Sequence, residues 1–191
     1  MIKSIRMGAS VKKKKFTIFT IGHSTRPLDE FIELLRANAV KRVIDIRTIP
    51  RSRHNPQFNR ETLGPTLRKR GIGYTHIKKL GGLRHAMANS INLGWHNASF
   101  RGFADYMSTP DFAAGLARAM KLAKAKPSAL MCAEAVPWRC HRSLVADALV
   151  VRGMEVQDIV GASRPKPHEL TPFARVHGLH ITYPTDQPRA R

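Results

Sequence analysis

The chain is predicted to be an α/β protein, a mainly parallel open sheet of about five or six strands with helices on both faces, in a Rossmann-like three-layer arrangement. Three observations predict it. Short β-rich apolar runs alternate with amphipathic stretches of helical period along most of the sequence. Unusual polar residues follow these runs, as expected where open sheets gather their functional loops. The 191 residues, 42% of them hydrophobic, suffice for one buried core.

In chain order, Phe16-Thr17-Ile18-Phe19-Thr20-Ile21 is a strand ended by Gly22. After His23-Ser24-Thr25, Pro27 and the acidic first turn Asp29 and Glu30 start a helix whose Leu28, Phe31, Ile32 and Leu35 form one apolar stripe. Val43 to Ile46 is a second strand. A helix from about Arg60 to Arg70 takes Asn59 as its cap, with Gly64-Pro65 as an interior irregularity. Ile72 to Ile77 is a third strand, and Leu80 to Phe103 reads as loops beside the site. Ser108 or Thr109 before Pro110 starts another helix, Ala129 to Cys132 is a buried strand, Cys140 to Arg152 a helix ended by Gly153, and Val156 to Val160 a further strand. From about residue 162 patterning is weak, with one short helix near Phe173 and an edge strand near Ile181. Residues 1–15 read as a basic flexible tail, and residues 16–191 as a single α/β domain.

With 33 lysines and arginines against 13 aspartates and glutamates, the formal charge is +20. Residues 1–15 carry +6, and Arg36 to Arg84 hold 13 basic residues against Asp45 and Glu61, a net +11. That asymmetry points to an anionic partner, although a spread of arginine over a solvated exterior gives the same count. Aromatics make up only 7% and do not interleave with the basic residues, which disfavours a single-strand stacking platform. No apolar run approaches the roughly 20 residues that cross a bilayer. Two cysteines are too few for a secreted disulfide scaffold, so the chain is expected in the cytoplasm, without a membrane partner.

The polar residues after the strands are Gly22-His23-Ser24, Asp45 and Arg47, His76, and Cys132 with Glu134. In a parallel sheet they share the carboxyl edge. The most informative stretch, Cys132 to Arg142, lies between a strand and a helix, where backbone N–H groups with Arg139 and Arg142 suit a phosphate or carboxylate. It resembles the anion loop of cysteine-dependent phosphatases and sulfurtransferases, but the phosphatase pattern sets five residues between Cys and Arg, and Cys132 and Arg139 enclose six. Cys132 and Cys140 are nucleophile or redox thiols in one reading and small buried hydrophobes in the other. A metal site from Cys132, Cys140, His141 and a distant histidine matches no standard zinc spacing, so no metal ligands are assigned, and the cofactor stays unknown. Asp45 is either a general base or half of an internal ion pair. Arg51-Ser52-Arg53 can clamp phosphate through paired N–H donors. Trp95, Trp138 and Tyr74 either stack on a base or pack internally.

Four separated blocks, Ile21-Gly22-His23-Ser24, Asp45-Ile46-Arg47 with Pro50-Arg51-Ser52-Arg53, Tyr74-Thr75-His76 with Leu80-Gly81-Gly82, and Cys132-Ala133-Glu134 with Cys140-His141-Arg142, resemble the domain-of-unknown-function 488 family. The resemblance runs from about Phe16 to Val160. Ile46 stands where the family usually has valine, and Arg84 to Asp105 matches no block. It implies the fold and the site residues, and a prokaryotic cytosolic protein, but no reaction.

The sequence therefore leads to a pocket at the carboxyl edge for a nucleotide, a nucleic-acid end or another phosphorylated ligand. Gly22, His23, Ser24, Arg47, Arg51, Ser52, Arg53, His76, Gly81, Gly82, His141 and Arg142 are its expected binding residues. Cys132 or Cys140 is the expected nucleophile, and Glu134 or Asp45 the proton-handling group. The alternatives are a non-catalytic nucleic-acid-binding protein using the basic surface, and a thiol redox protein. The oligomeric state is not fixed by the sequence.

Overall fold

Parallel neighbours require crossover connections, and the chain supplies them as helices. The computed structural model describes residues 16–185. The predicted basic tail, residues 1–15, lies outside the described residues. The elements are β1 (Thr17–Gly22), α1 (Leu28–Ala37), β2 (Arg42–Asp45), α2 (Arg60–Lys69), β3 (Gly73–His76), α3 (Ala98–Tyr106), α4 (Pro110–Ala125), β4 (Ser128–Cys132), α5 (Arg142–Val151), β5 (Glu155–Ile159), β6 (Lys166–Pro167), β7 (Arg175–His177) and β8 (His180–Thr182). The main sheet runs β3-β2-β4-β1-β5-β6. Its first five strands pair in parallel, and β6 is antiparallel on the β5 edge.

Two apolar layers sandwich the sheet. One collects Phe31, Ile32 and Leu35 of α1 and Leu63 and Leu67 of α2 against Ile21, Val43 and Met131. The other collects Phe103 of α3, Leu116 of α4 and Leu144 of α5 against Ile18, Ile44 and Leu130. Alternate residues of the inner strands β1, β2 and β4 feed opposite layers, so both faces of the sheet centre are covered. Each of the fully buried large side chains in α1 contributes about 1.5–3 kcal/mol relative to exposure, and a charge at Leu35 would remove that helix from the sheet.

Local chemistry sets the helix ends. Thr109 Oγ1 accepts from the Phe112 N–H at 3.2 Å to cap α4. At the other end of α5, Gly153 takes φ +77°, with its N–H on the Val150 carbonyl and the Met154 N–H on Leu149. This paired pattern needs a left-handed residue, which glycine adopts without a Cβ clash. Pro65 lies inside α2 and has no N–H for the Glu61 carbonyl. The helix persists because Leu63 and Leu67 are fully buried on either side.

Three expectations need correction. The expected loop from Leu80 to Phe103 ends in α3, which Asn97 initiates by accepting from the Ser99 and Phe100 N–H groups. No helix forms near Phe173, whose ring packs on Trp95 and Tyr183. The strand at Ile181 pairs with β7 in a separate two-stranded ribbon, while the sheet edge is taken by β6.

Candidate functional site

Adjacent β1 and β4 send their helices to opposite faces, α1 to one and α5 to the other. Their carboxyl ends therefore diverge, and the crevice between them is where an open sheet accepts a ligand. The backbones stay joined just beyond the strands, with the His23 N–H on the Cys132 carbonyl at 3.0 Å and the Ser24 N–H on the Ala133 carbonyl at 2.8 Å. Gly22 makes this closeness feasible, because a Cβ there would collide with the Glu134 carbonyl. Ser24, at φ +48°, takes the left-handed conformation that turns the chain away toward α1.

His23 is buried, stacks on Phe58 at 4.3 Å, and donates from Nδ1 to the Ser24 carbonyl at 2.8 Å. Its Nε2 accepts from Arg47 Nη1 at 3.2 Å. Burial, reinforced by the Arg47 charge, lowers its pKa below the ordinary value, so the ring is neutral near pH 7. Arg47 is held in turn by Asp45, whose carboxylate accepts from the Arg47 backbone N–H, Nε and Nη2 and from the Tyr74 hydroxyl. Burial together with that carboxylate pushes the Tyr74 hydroxyl well up. Asp45 is thus saturated inside the core as the anchor of Arg47 and does not line the cleft, the arrangement of the internal ion pair among its two expected readings.

The turn from Pro137 to Arg139 folds the β4–α5 loop back, bringing Cys140 beside Cys132. His141 Nε2 lies 3.1 Å from the Ile46 carbonyl, which can only accept, so Nε2 carries the hydrogen. In the neutral ring Nδ1 then presents its lone pair to Cys140 Sγ at 3.5 Å and Cys132 Sγ at 3.8 Å. Both cysteines are free and buried. The Cys140 S–H donates to Cys132, and His141 and Arg142 lie beside it, which holds the Cys132 thiol well below the usual range. As the donor of that pair, and buried, Cys140 is pushed well above it. The His141 ring packs where a Cβ of Gly82 would stand, and a Cβ on Gly81 would crowd Thr48.

These residues floor an open cleft of about 570 Å³. Of the residues predicted from sequence, the cleft collects His23, Ser24, Arg47, Arg51, Ser52, Gly82, Cys132, Glu134, Cys140 and His141. Glu134 is the one carboxylate among its described lining residues. Gly22 and Gly81 act behind the wall through close approach. Arg142 is fully buried and donates to the carbonyls of Ile21, Glu134 and Ala135, so it staples the loop and does not face a ligand. Arg53 lines a neighbouring groove with Pro56 and Asn59 that shares Ile49, Arg51 and Ser52 with the cleft. His76 donates from Nε2 to the Arg47 carbonyl at 2.8 Å and opens onto a groove with Arg60, Arg68 and Arg118. Sequence reading missed Ser99 and Phe100, which the unforeseen start of α3 brings to the rim, and Thr48. The Asn97 cap ahead of them was the available signal.

A family model described as domain of unknown function DUF488 matches residues 27–149. No curated protein and no solved structure matches the chain. No helix among the described residues is long and apolar enough to cross a membrane.

Proposed function

The chain belongs to the DUF488 family, a domain of unknown function, and from the chemistry of the cleft we propose that it binds a phosphorylated ligand there and presents that ligand to the sulfur and imidazole groups on the floor. One observation carries this reading: Arg51 and Arg139, with Arg47 held by Asp45 behind them, line a cleft whose described wall contains the single carboxylate Glu134, above Cys132, Cys140 and His141. Arginine forks match phosphoryl oxygens in paired hydrogen bonds. Glu134 is exposed at the rim and takes the proton-handling role. Trp138, 65% exposed beside Arg139, offers an indole face for a nucleotide base. Two free thiols are consistent with a reducing compartment such as the cytoplasm, the location this reading assigns.

Calorimetric titration with pyrophosphate and with nucleoside monophosphates tests this. Arg51→Ala combined with Arg139→Ala is expected to weaken binding at least 10-fold, since each lost charge-assisted contact costs roughly 1.5–3 kcal/mol. Unchanged affinity would remove the reading.

A second reading is nucleic-acid binding, favoured by the groove of Arg60, Arg68, Arg118 and His76 between α2, β3 and α4. The two separate by salt. Duplex binding there would weaken with a log–log slope of about −0.9 per neutralised phosphate, far steeper than for a cleft holding one or two.

A further inference from the structure

Anion binding leaves a donor set unused. We propose that Cys132, Cys140 and His141 ligate a divalent cation of the zinc class, with the fourth coordination position open to the cleft. Their three ligand atoms all lie within 4.8 Å of one another. A tetrahedral site with Zn–S of about 2.3 Å and Zn–N of about 2.0–2.1 Å has an S–N edge of about 3.6 Å. The observed edges from His141 Nδ1 are 3.5 Å to Cys140 and 3.8 Å to Cys132, so both S–N edges are close to those of a tetrahedral site.

The surroundings are those of a ligand set. The Ile46 carbonyl holds Nε2–H and leaves Nδ1 as the donor, as outer partners do for metal-bound histidines. The Arg142 N–H points at Cys140 Sγ at 3.4 Å and steadies a thiolate there. The Arg142 side chain fixes the intervening loop by its carbonyls, so the ligands are preorganised. Two thiolates and an imidazole select a soft or borderline ion over magnesium or calcium, and two thiolates neutralise it. Among the described residues the cluster contains three ligands, and all three line the cleft, which is the open arrangement of a reactive centre. Seven residues separate the cysteines, which is why short zinc spacings do not reveal the site. That a phosphoryl oxygen takes the open position rests on the function proposed above; the metal site does not.

The test titrates reduced, full-length protein with Co²⁺ and then Zn²⁺ under anaerobic conditions. One equivalent of Co²⁺ is expected to give thiolate-to-cobalt charge transfer and tetrahedral d–d bands, and Zn²⁺ to displace it. Cys132→Ser and Cys140→Ser should each abolish the charge transfer and weaken Zn²⁺ by more than the roughly 10–100-fold that loss of an outer partner costs. Because serine at the end of a buried strand risks the fold, Zn²⁺ protection of both thiols from alkylation is measured on the unsubstituted protein. Absence of charge transfer in the unsubstituted protein, or Zn²⁺ affinity in both serine variants unchanged from it, overturns the site. Pyrophosphate shifting the d–d bands supports ligand entry at the open position. Metal uptake with bands unmoved by pyrophosphate keeps the metal site and removes phosphoryl entry at the open position, whereas pyrophosphate binding without metal uptake removes the metal site and keeps the phosphate reading.

Discussion

Two buried polar clusters flank α5, and they are built on opposite terms. Beyond its middle, Asp147 accepts from His168 Nε2, the Thr171 N–H, the Thr171 hydroxyl and the Tyr183 hydroxyl, and Asp158 accepts from Thr20 and His168 Nδ1. Every oxygen of Asp147 is used, both imidazole nitrogens donate, and the segment that follows β5 is pinned to the domain. Ahead of its first turn, Cys132, Cys140 and His141 meet through long sulfur contacts and open onto the cleft. Saturation marks the first cluster as structural. The second keeps donor capacity facing solvent, at a cost in stability that a purely structural cluster would not carry.

The largest effect expected from this contrast is on the saturated side. Asp147→Ala strands Thr171, Tyr183 and the Nε2 of His168 without their acceptor and should cost about 3–5 kcal/mol, as loss of one partner of a buried ion pair does. Urea unfolding checks it, and a loss below 1 kcal/mol would erase the contrast. Next comes pH. Burial alone would lower the His168 pKa, but the two carboxylates reverse this and push it up to about 9, against 6.5 for the free side chain. Its folded-state pKa being raised, the stabilisation is complete below about pH 6.5 and fades as pH climbs to 9, for a total of about 3 kcal/mol. Unfolding free energies across pH 6–10 should fall on that slope, and His168→Gln should flatten it. The smallest effect belongs to the open cluster, where Cys140→Ala should change stability by no more than about 1 kcal/mol. A thermal-denaturation shift matching that of Asp147→Ala would mean that Cys140 is structural too.

The same contrast explains what could be read from sequence. The strands β1, β2 and β4 and the helices α1, α4 and α5 announce themselves by local apolar period, and the polar residues that end those strands led directly to the cleft. The ribbon β7–β8 does not, because Phe173 and Tyr183 find their places through Trp95 and Asp147, far away in sequence. Likewise α3 packs through Phe103 and holds the preceding loop by Asp105, which accepts from Met87 N–H, Ser90 and Asn92. Which of its two readings Asp45 follows, and the buried setting of Arg142, were not legible for a related reason. Residue type and position after a strand suit a ligand, whereas the Tyr74 hydroxyl and the Ile21 carbonyl that occupy them come from other strands. The Cys132–His141 proximity needed the turn at Pro137, which no periodicity encodes.

The position of β4 between β1 and β2 has a consequence for how the molecule is made. The chain lays down β1, β2 and β3 first and must leave a slot one strand wide, with a strand edge on each side, until Ser128–Cys132 arrives. Those edges offer unpaired backbone groups to any other strand in the meantime. Loop closure over this separation is slow relative to local helix formation. The cleft, walled by the ends of β1 and β4, thus exists only once Ser128–Cys132 has filled the slot, so an intact cleft reports a complete central sheet.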